Sequence, residues 1–238
     1  MRTDGRKPNQ LRPVEIQPNI IRHAEGSVMI KMGHTHVICT ASVEPGVPKF
    51  LMGSGEGWVT AEYGMLPRST HSRMRRDKTS SGGRSQEISR LIGRSLRSCI
   101  DLKKLGERQI TVDCDVIQAD GGTRTAAITG AFVALKMAIQ FLMKQGEIKE
   151  DPIKCNIAAI SIGLNGDTAL LDLNYDEDSN IDTDMNFVIN DEDEFVEIQG
   201  TAETGSFSHK SLQNMIELAQ KGCRELIEMQ NNTLSEVL

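Results

Sequence analysis

Residues Ile110 to Met143 read ITVDCDVIQADGGTRTAAITGAFVALKMAIQFLM. Ile110, Val112, Cys114 and Val116 alternate with Thr111, Asp113 and Asp115, the period of a strand with one buried face. Gly121-Gly122 breaks that period. From Thr125 onward Ala126, Ile128, Ala131, Phe132, Leu135, Ala138, Ile139 and Leu142 recur at helical spacing, which predicts a helix with an apolar stripe. The unit is strand, glycine turn, helix, with Gly122-Thr123-Arg124 at the helix entrance. A helix N-terminus has unpaired N–H groups and a partial positive charge, so it attracts anions. Glycine lets a phosphate approach the backbone, Thr123 and Thr125 offer hydroxyls, and Arg124 offers a planar fork matched to phosphate oxygens. A turn whose Thr and Arg only cap and solvate gives the same pattern. No Gly-Lys-Ser/Thr follows, so this is not a Walker loop.

The chain has 238 residues, enough for one large domain or two lobes sharing a core. With 38% hydrophobic and 25% charged residues, it has the composition of a globular protein. No apolar run approaches the ~18 residues of a membrane span. The N-terminal MRTDGRKPNQLRP has no apolar core of a signal peptide. The five cysteines, Cys39, Cys99, Cys114, Cys155 and Cys223, are scattered without CxxC spacing, each in an apolar pattern. Buried thiols in a reducing compartment are expected rather than a metal site.

The net charge of −6 hides a segregation. Residues 68–97 hold nine Lys/Arg against Asp77 and Glu87, and residues 147–203 hold sixteen Asp/Glu against Lys149 and Lys154. A basic surface for polyanions and an acidic region able to hold a cation are expected. The acidic cluster is Asp172, Asp176, Glu177, Asp178, Asp182 and Asp184. Carboxylates brought together repel, and Mg²⁺ relieves that repulsion while keeping waters for a phosphate substrate. A solvated acidic turn is the other reading of the same spacing.

Along the chain, residues 1–13 read as a polar, basic loop with Arg2, Arg6 and Arg12 available to a partner. Val14–Ile21, Ser27–Met32, Thr35–Val43 and Trp58–Tyr63 read as short strands. His34 and His36 stand two apart and are expected on one face of a strand. The segment LPRSTHSRMRRDKTSSGGRSQE has almost no apolar residue between Arg68 and Glu87, so a mobile excursion is expected. Ile88, Leu91, Ile92, Leu96, Cys99 and Ile100 form the stripe of a helix, with Ser85 as its expected N-cap and Arg84 beside it. Two helix entrances thus carry an arginine each. In the second half, Cys155–Leu164 and Thr168–Leu173 read as a hairpin turning at Asn165-Gly166. Met185–Ile189 and Glu194–Gln199 read as another, and Ser208 caps a final helix. One α+β domain spanning 1–238 is expected, with halves at about 1–145 and 152–230.

Taken in order, MRTDGR, LRPV, AEGSVMI, GWVTAEYGMLPRST, GRSQEISRLIGRSLR, DCDVIQADGGTRTAAITGA, LDLNYDEDS, DTDMNFV and EIQGTAE resemble the ribonuclease PH family over about residues 1–230. That family comprises phosphate-dependent 3′→5′ exoribonucleases that also act as transfer-RNA nucleotidyltransferases. The resemblance implies two intertwined βαβα-type halves sharing one core, a ribosomal protein S5 domain 2-like fold. It implies a cytoplasmic homohexamer, a trimer of dimers, acting on the 3′ ends of transfer-RNA precursors. Carried over residue by residue, the family's phosphate site matches Arg84, Gly122, Thr123 and Arg124, with Thr125 beside them. Its catalytic and metal carboxylates match Asp178 and Asp184, for Mg²⁺ or Mn²⁺, and its transfer-RNA-binding arginines match Arg68, Arg73 and Arg76. Ser85 stands where threonine is common and His36 where lysine is common. Asn174 and Asp176 carry no assigned role. Two other readings stay distinct: a non-catalytic RNA-binding ring subunit of an exosome-like assembly, and a hydrolytic metal-dependent nuclease.

Overall fold

The computed structural model describes residues 2, 4–76, 82–203 and 205–237. Met1 and Thr3 of the first motif, and Asp77 to Ser81 of the basic segment with its Lys78, lie outside the described residues.

The first sheet has the order β1-β2-β3-β5-β4. Strands β1 (Val14–Pro18), β2 (Gly26–Met32) and β3 (Thr35–Pro45) form an antiparallel meander, and β3 pairs antiparallel with β5 (Arg108–Gln118). Strand β4 (Trp58–Met65) lies parallel to β5 at the sheet's edge. A parallel pair needs a crossover, supplied here by helix α1 (Gly83–Ser98) and the short α2 (Leu102–Leu105). The second sheet is antiparallel, in the order β7-β6-β8-β9: β6 (Ile157–Asn165), β7 (Thr168–Leu171), β8 (Thr183–Asn190) and β9 (Phe195–Ala202). A one-turn helix α4 (Tyr175–Asp178) links β7 to β8, and the long helix α5 (His209–Val237) closes the chain. The βαβα unit of the first half is β4-α1-β5-α3, whereas in the second half the long helix follows all four strands.

Helix α3 (Thr123–Lys144) joins the halves. It packs on β2 and β3 on one side and against β6 on the other. The apolar stripe expected of it is too narrow a description, because the helix is buried almost all round, Thr129 and Gly130 included. It has the length and composition of a membrane span, yet its surface is spent on the two sheets. Its path along β6 has a specific cause. Strand β7 pairs only with Ile162 to Asn165 of β6, so Ala159 lacks a strand partner on that side. The Thr129 hydroxyl supplies one, accepting from the Ala159 N–H at 3.0 Å and reaching its carbonyl at 3.3 Å. Strand β6 reads as an unbroken apolar run because it is buried on both faces, with α5 over it.

Several local expectations shift. Helix α1 starts at Gly83 with Gly82 as N-cap, so Ser85 sits buried in the first turn and does not cap. His34 lies in the β2–β3 turn and only His36 is on a strand, so the two do not share a strand face. The second-half hairpin turns at Gly166-Asp167, since Asn165 and Thr168 are paired. Ser208 does cap α5, its hydroxyl accepting from the Ser211 N–H at 3.0 Å. Cys39, Cys99, Cys114 and Cys223 are buried free thiols, and Cys155 is half-buried. The start of the basic segment is anchored rather than an excursion. The Leu66 N–H bonds the Val116 carbonyl, the Ala119 N–H bonds the Ser69 carbonyl and the Met74 N–H bonds the Pro67 carbonyl, at 2.8–2.9 Å.

The largest departure is the N-terminal arm. Arg2 and Arg12 are 7% and 4% exposed, so they are not available to a partner. Arg12 forks onto Asp172, Nη2 to Oδ1 at 2.7 Å and Nε to Oδ2 at 3.0 Å. Arg2 forks onto Glu177 at 2.7 and 2.8 Å, and Arg6 reaches Glu177 and Asp172 at 3.3 and 3.7 Å. Composition reveals the arm's charge but not its partners, which lie some 160 to 175 positions away.

Candidate active site

Two helix entrances open on one cavity of about 440 Å³, lined by Arg84, Gly121, Gly122, Thr123, Arg124, Ser161, Asp178, Asp184 and Asn186 among others. Both N-caps are glycines, Gly82 and Gly122, which carry no capping side chain, and a helix N-terminus attracts anions.

The α3 entrance depends on two glycines. Gly121 and Gly122 have φ of +71° and +61°, values that L side chains rarely adopt. A Cβ on Gly121 also meets the Leu173 carbonyl oxygen at 2.6 Å. The turn is therefore pressed against the backbone leading into α4, which carries Asp178. Beneath it, Arg12 Nη1 donates to the Asp120 carbonyl at 2.5 Å. Arg12 thus ties Asp120 of the first half to Asp172 of the second.

Thr123 is held from behind. The buried Tyr63 phenol donates to Thr123 Oγ1 at 2.8 Å, which leaves the Thr123 proton free to donate elsewhere. Burial raises the Tyr63 pKa, keeping the phenol a donor. Thr125 does not line the cavity: it is buried and its hydroxyl donates to the Gly122 carbonyl at 2.9 Å. It supports the turn. Arg124 Nη1 donates to Glu87 Oε1 at 3.2 Å and to Gln199 Oε1 at 3.1 Å, so α1 and β9 both aim its guanidinium. Arg84 stands exposed in the first turn of α1.

The acidic cluster divides. Asp172 and Glu177 are buried and spent on the arm's arginines. Glu177 also closes a capping box with Asn174, which fixes α4. Asp182 accepts from the Gly166 N–H at 3.1 Å, and Asp176 is exposed. Only Asp178 and Asp184 reach the cavity, with Asn186 two residues on along β8. Partial burial of the Asp178 carboxyl in the cavity wall raises its pKa, the Asp184 charge adds to this, and Arg84, Arg124 and Arg12 oppose it. Among the described residues no group of three or more His, Cys, Asp or Glu forms a metal cage. Two facing carboxylates fit a hard divalent ion that takes its remaining ligands from water and substrate oxygens.

Of the residues singled out by sequence, Arg84, Gly122, Thr123, Arg124, Asp178 and Asp184 converge, and Thr125 stands behind them. Arg68, Arg73 and Arg76 are exposed, on the stretch whose Thr70, His71, Ser72 and Met74 line the cavity. The sequence reading missed Tyr63, Ser161, Asn186 and Gln199. Asn186 was accessible from strand alternation, since it shares a face with Asp184. Tyr63 carried only the general signal that a buried tyrosine needs a partner for its hydroxyl.

Comparison with known proteins identifies the family. The model of the 3′ exoribonuclease family, domain 1, matches residues 10–139, and that of domain 2 matches residues 155–222. Ribonuclease PH of Bdellovibrio bacteriovorus is 57% identical over 237 residues, covering 100% of this chain and 98% of the relative. Ribonuclease PH of Crocosphaera subtropica is 54% identical over 235 residues, covering 99% and 98%. The structure of the Archaeoglobus fulgidus exosome with RNA bound to the active site shares the fold, with a TM-score of 0.80 at 24% identity over 95% of this chain and 91% of that one. A carboxylate pair facing two arginine-bearing helix entrances, on a chain that matches both family domains, places it in the ribonuclease PH family of phosphorolytic 3′–5′ exoribonucleases.

Proposed function

We propose that the cavity holds inorganic phosphate between the α1 and α3 entrances and uses it to shorten RNA from its 3′ end. One observation carries this reading: two arginine-bearing helix N-termini, neither with a side-chain cap, converge on a cavity whose other wall bears Asp178 and Asp184. Arg84, Arg124 and the Thr123 hydroxyl hold the phosphate. A phosphate oxygen attacks the phosphorus of the last phosphodiester, and the bond to the 3′-oxygen of the preceding nucleoside breaks. The products are a nucleoside 5′-diphosphate and an RNA one residue shorter, its 3′-oxygen having taken up a proton. One phosphate linkage replaces another, so the reverse nucleotidyl transfer is also expected.

Charge spreads over the equatorial oxygens in the transition state, and positioned cationic donors stabilise it. Asp178 and Asp184 would hold Mg²⁺ or Mn²⁺, which when bound supplies further neutralisation of that charge. The alternative role for one of the two carboxyls, in place of holding the ion, is general acid on the leaving 3′-oxygen. Arg68, Arg73 and Arg76 grip the body of a transfer-RNA precursor, and the working form is a cytoplasmic homohexamer built as a trimer of dimers. A non-catalytic ring subunit is disfavoured by the convergence of both arginines with both carboxylates, a set such a subunit has no need to keep. Digestion of RNA with and without phosphate tests the reading. Cleavage that stops without phosphate is expected; cleavage that continues unchanged would mean water is the nucleophile, and no cleavage in either would mean a scaffold.

A further inference from the structure

Resting on the phosphorolytic reading, we propose that the open ring of Tyr175 is the stacking platform for a base adjoining the scissile phosphodiester. Tyr175 lines the cavity and is 52% exposed, so its ring has a face open to a ligand there. Its backbone is held in place. Its backbone N–H donates to Asp120 Oδ1 at 3.2 Å, and it opens the one-turn helix α4 behind the Asn174–Glu177 capping box. The His71 ring lies against it, centroids 6.1 Å apart and planes inclined by 60°. A ring on a held backbone, with a neighbour on one side and its other side open, loses less freedom than one on a mobile loop when a base settles on it.

Its position suits a nucleotide already engaged at the carboxylates. Tyr175 and Asp178 stand three apart on α4, so they share a helix face with Cβ atoms about 5–6 Å apart. Both line the catalytic cavity. Tyr175, His71, Thr70 and Ala119 also line a second cavity of about 620 Å³, so the ring sits where the two meet. That second cavity carries Asp4, Asp120 and Asp176 beside Arg68 and His34. Three carboxylates against one arginine repel a run of phosphates there, whereas a neutral base carries no charge to be repelled. The surroundings therefore favour the base, not the backbone, on the Tyr175 side. Stacking on a π-face tolerates any base, which an exonuclease that removes successive nucleotides requires.

The test compares wild type with Tyr175→Leu and Tyr175→Phe on short single-stranded RNA, measuring KM for RNA and for phosphate separately. Tyr175→Leu is expected to raise the RNA KM about tenfold, within the range of one base–aromatic stack. Tyr175→Phe is expected to stay near wild type, and the phosphate KM is expected to be unchanged in both. RNA carrying an abasic nucleotide on one side of the scissile bond is expected to erase the difference between wild type and Tyr175→Leu. An RNA KM unchanged in Tyr175→Leu, or a loss of equal size on normal RNA and on RNA abasic at either position, overturns the proposal. Absence of phosphate-dependent cleavage in wild type removes the reading beneath it and the proposal together, so the two failures are distinguishable.

Discussion

Arg124 is aimed by Glu87 and Gln199 before any anion arrives, so its fork is already oriented toward the cavity. Arg124→Ala is expected to lower kcat/KM for phosphate roughly 100-fold, the size of effect seen when one positioned donor to a developing oxyanion is lost. RNA affinity should barely move, and phosphate-titrated initial rates check both. Asp178 has its pKa raised chiefly by partial burial, then by Asp184. A carboxyl raised on folding contributes stability below its unfolded pKa and loses it as pH climbs through the folded one. At pH 7 the charged Asp178 therefore weighs against the fold. Asp178→Asn is expected to be at least as stable as wild type at pH 7 without divalent ions, and to lose that advantage below about pH 3.9. Thermal melts across that range decide it; a variant less stable at pH 7 contradicts the assignment.

At the scale of elements, the site is a joint between two halves. The glycine turn before α3 belongs to one half and α4 to the other, and they meet where Gly121 has no room for a Cβ. The N-terminal arm pins them, Arg12 spanning the Asp120 carbonyl and Asp172 while Arg2 and Arg6 hold Glu177. Removing one member of a buried ion pair leaves the other uncompensated and costs about 3–5 kcal/mol; Arg6, 3.7 Å from Asp172, softens this toward the lower figure. Arg12→Met is accordingly expected to lower Tm by roughly 6–12 °C and to weaken phosphate binding, because the turn loses its support. A variant with unchanged Tm but reduced RNA affinity would restore the arm to the partner-binding role that its charge suggests. The strand, turn and helix around Gly122 were legible because period and glycine placement are local signals. The arm's partners were not, since nothing in a basic stretch says whether its counter-charges are solvent, RNA or carboxylates far along the same chain. The division of the acidic cluster was hidden for the same reason: spacing gathers Asp172, Glu177, Asp178 and Asp184, and only packing sends two of them inward.

Across the whole molecule, charge segregation becomes a path. The basic stretch from Arg68 lines the cavity with Thr70, His71, Ser72 and Met74, its start is fastened along the end of β5, and Arg73, Arg75 and Arg76 are exposed. Replacing Arg73, Arg75 and Arg76 is expected to weaken binding of structured transfer RNA and to lower the slope of log affinity against log salt by about one for each RNA phosphate no longer neutralised. Cleavage of a short unstructured RNA should change much less. Equal loss on both RNAs, with the same size on a gel-filtration column, would contradict a grip on the RNA body; a shift to smaller species would assign the stretch to a subunit interface. The central claim is that phosphate held at the two helix entrances is the nucleophile, and tracing its atoms tests this most directly. RNA digested in isotopically labelled inorganic phosphate should yield nucleoside diphosphates carrying one label in the terminal phosphate. Unlabelled nucleoside monophosphates would contradict it.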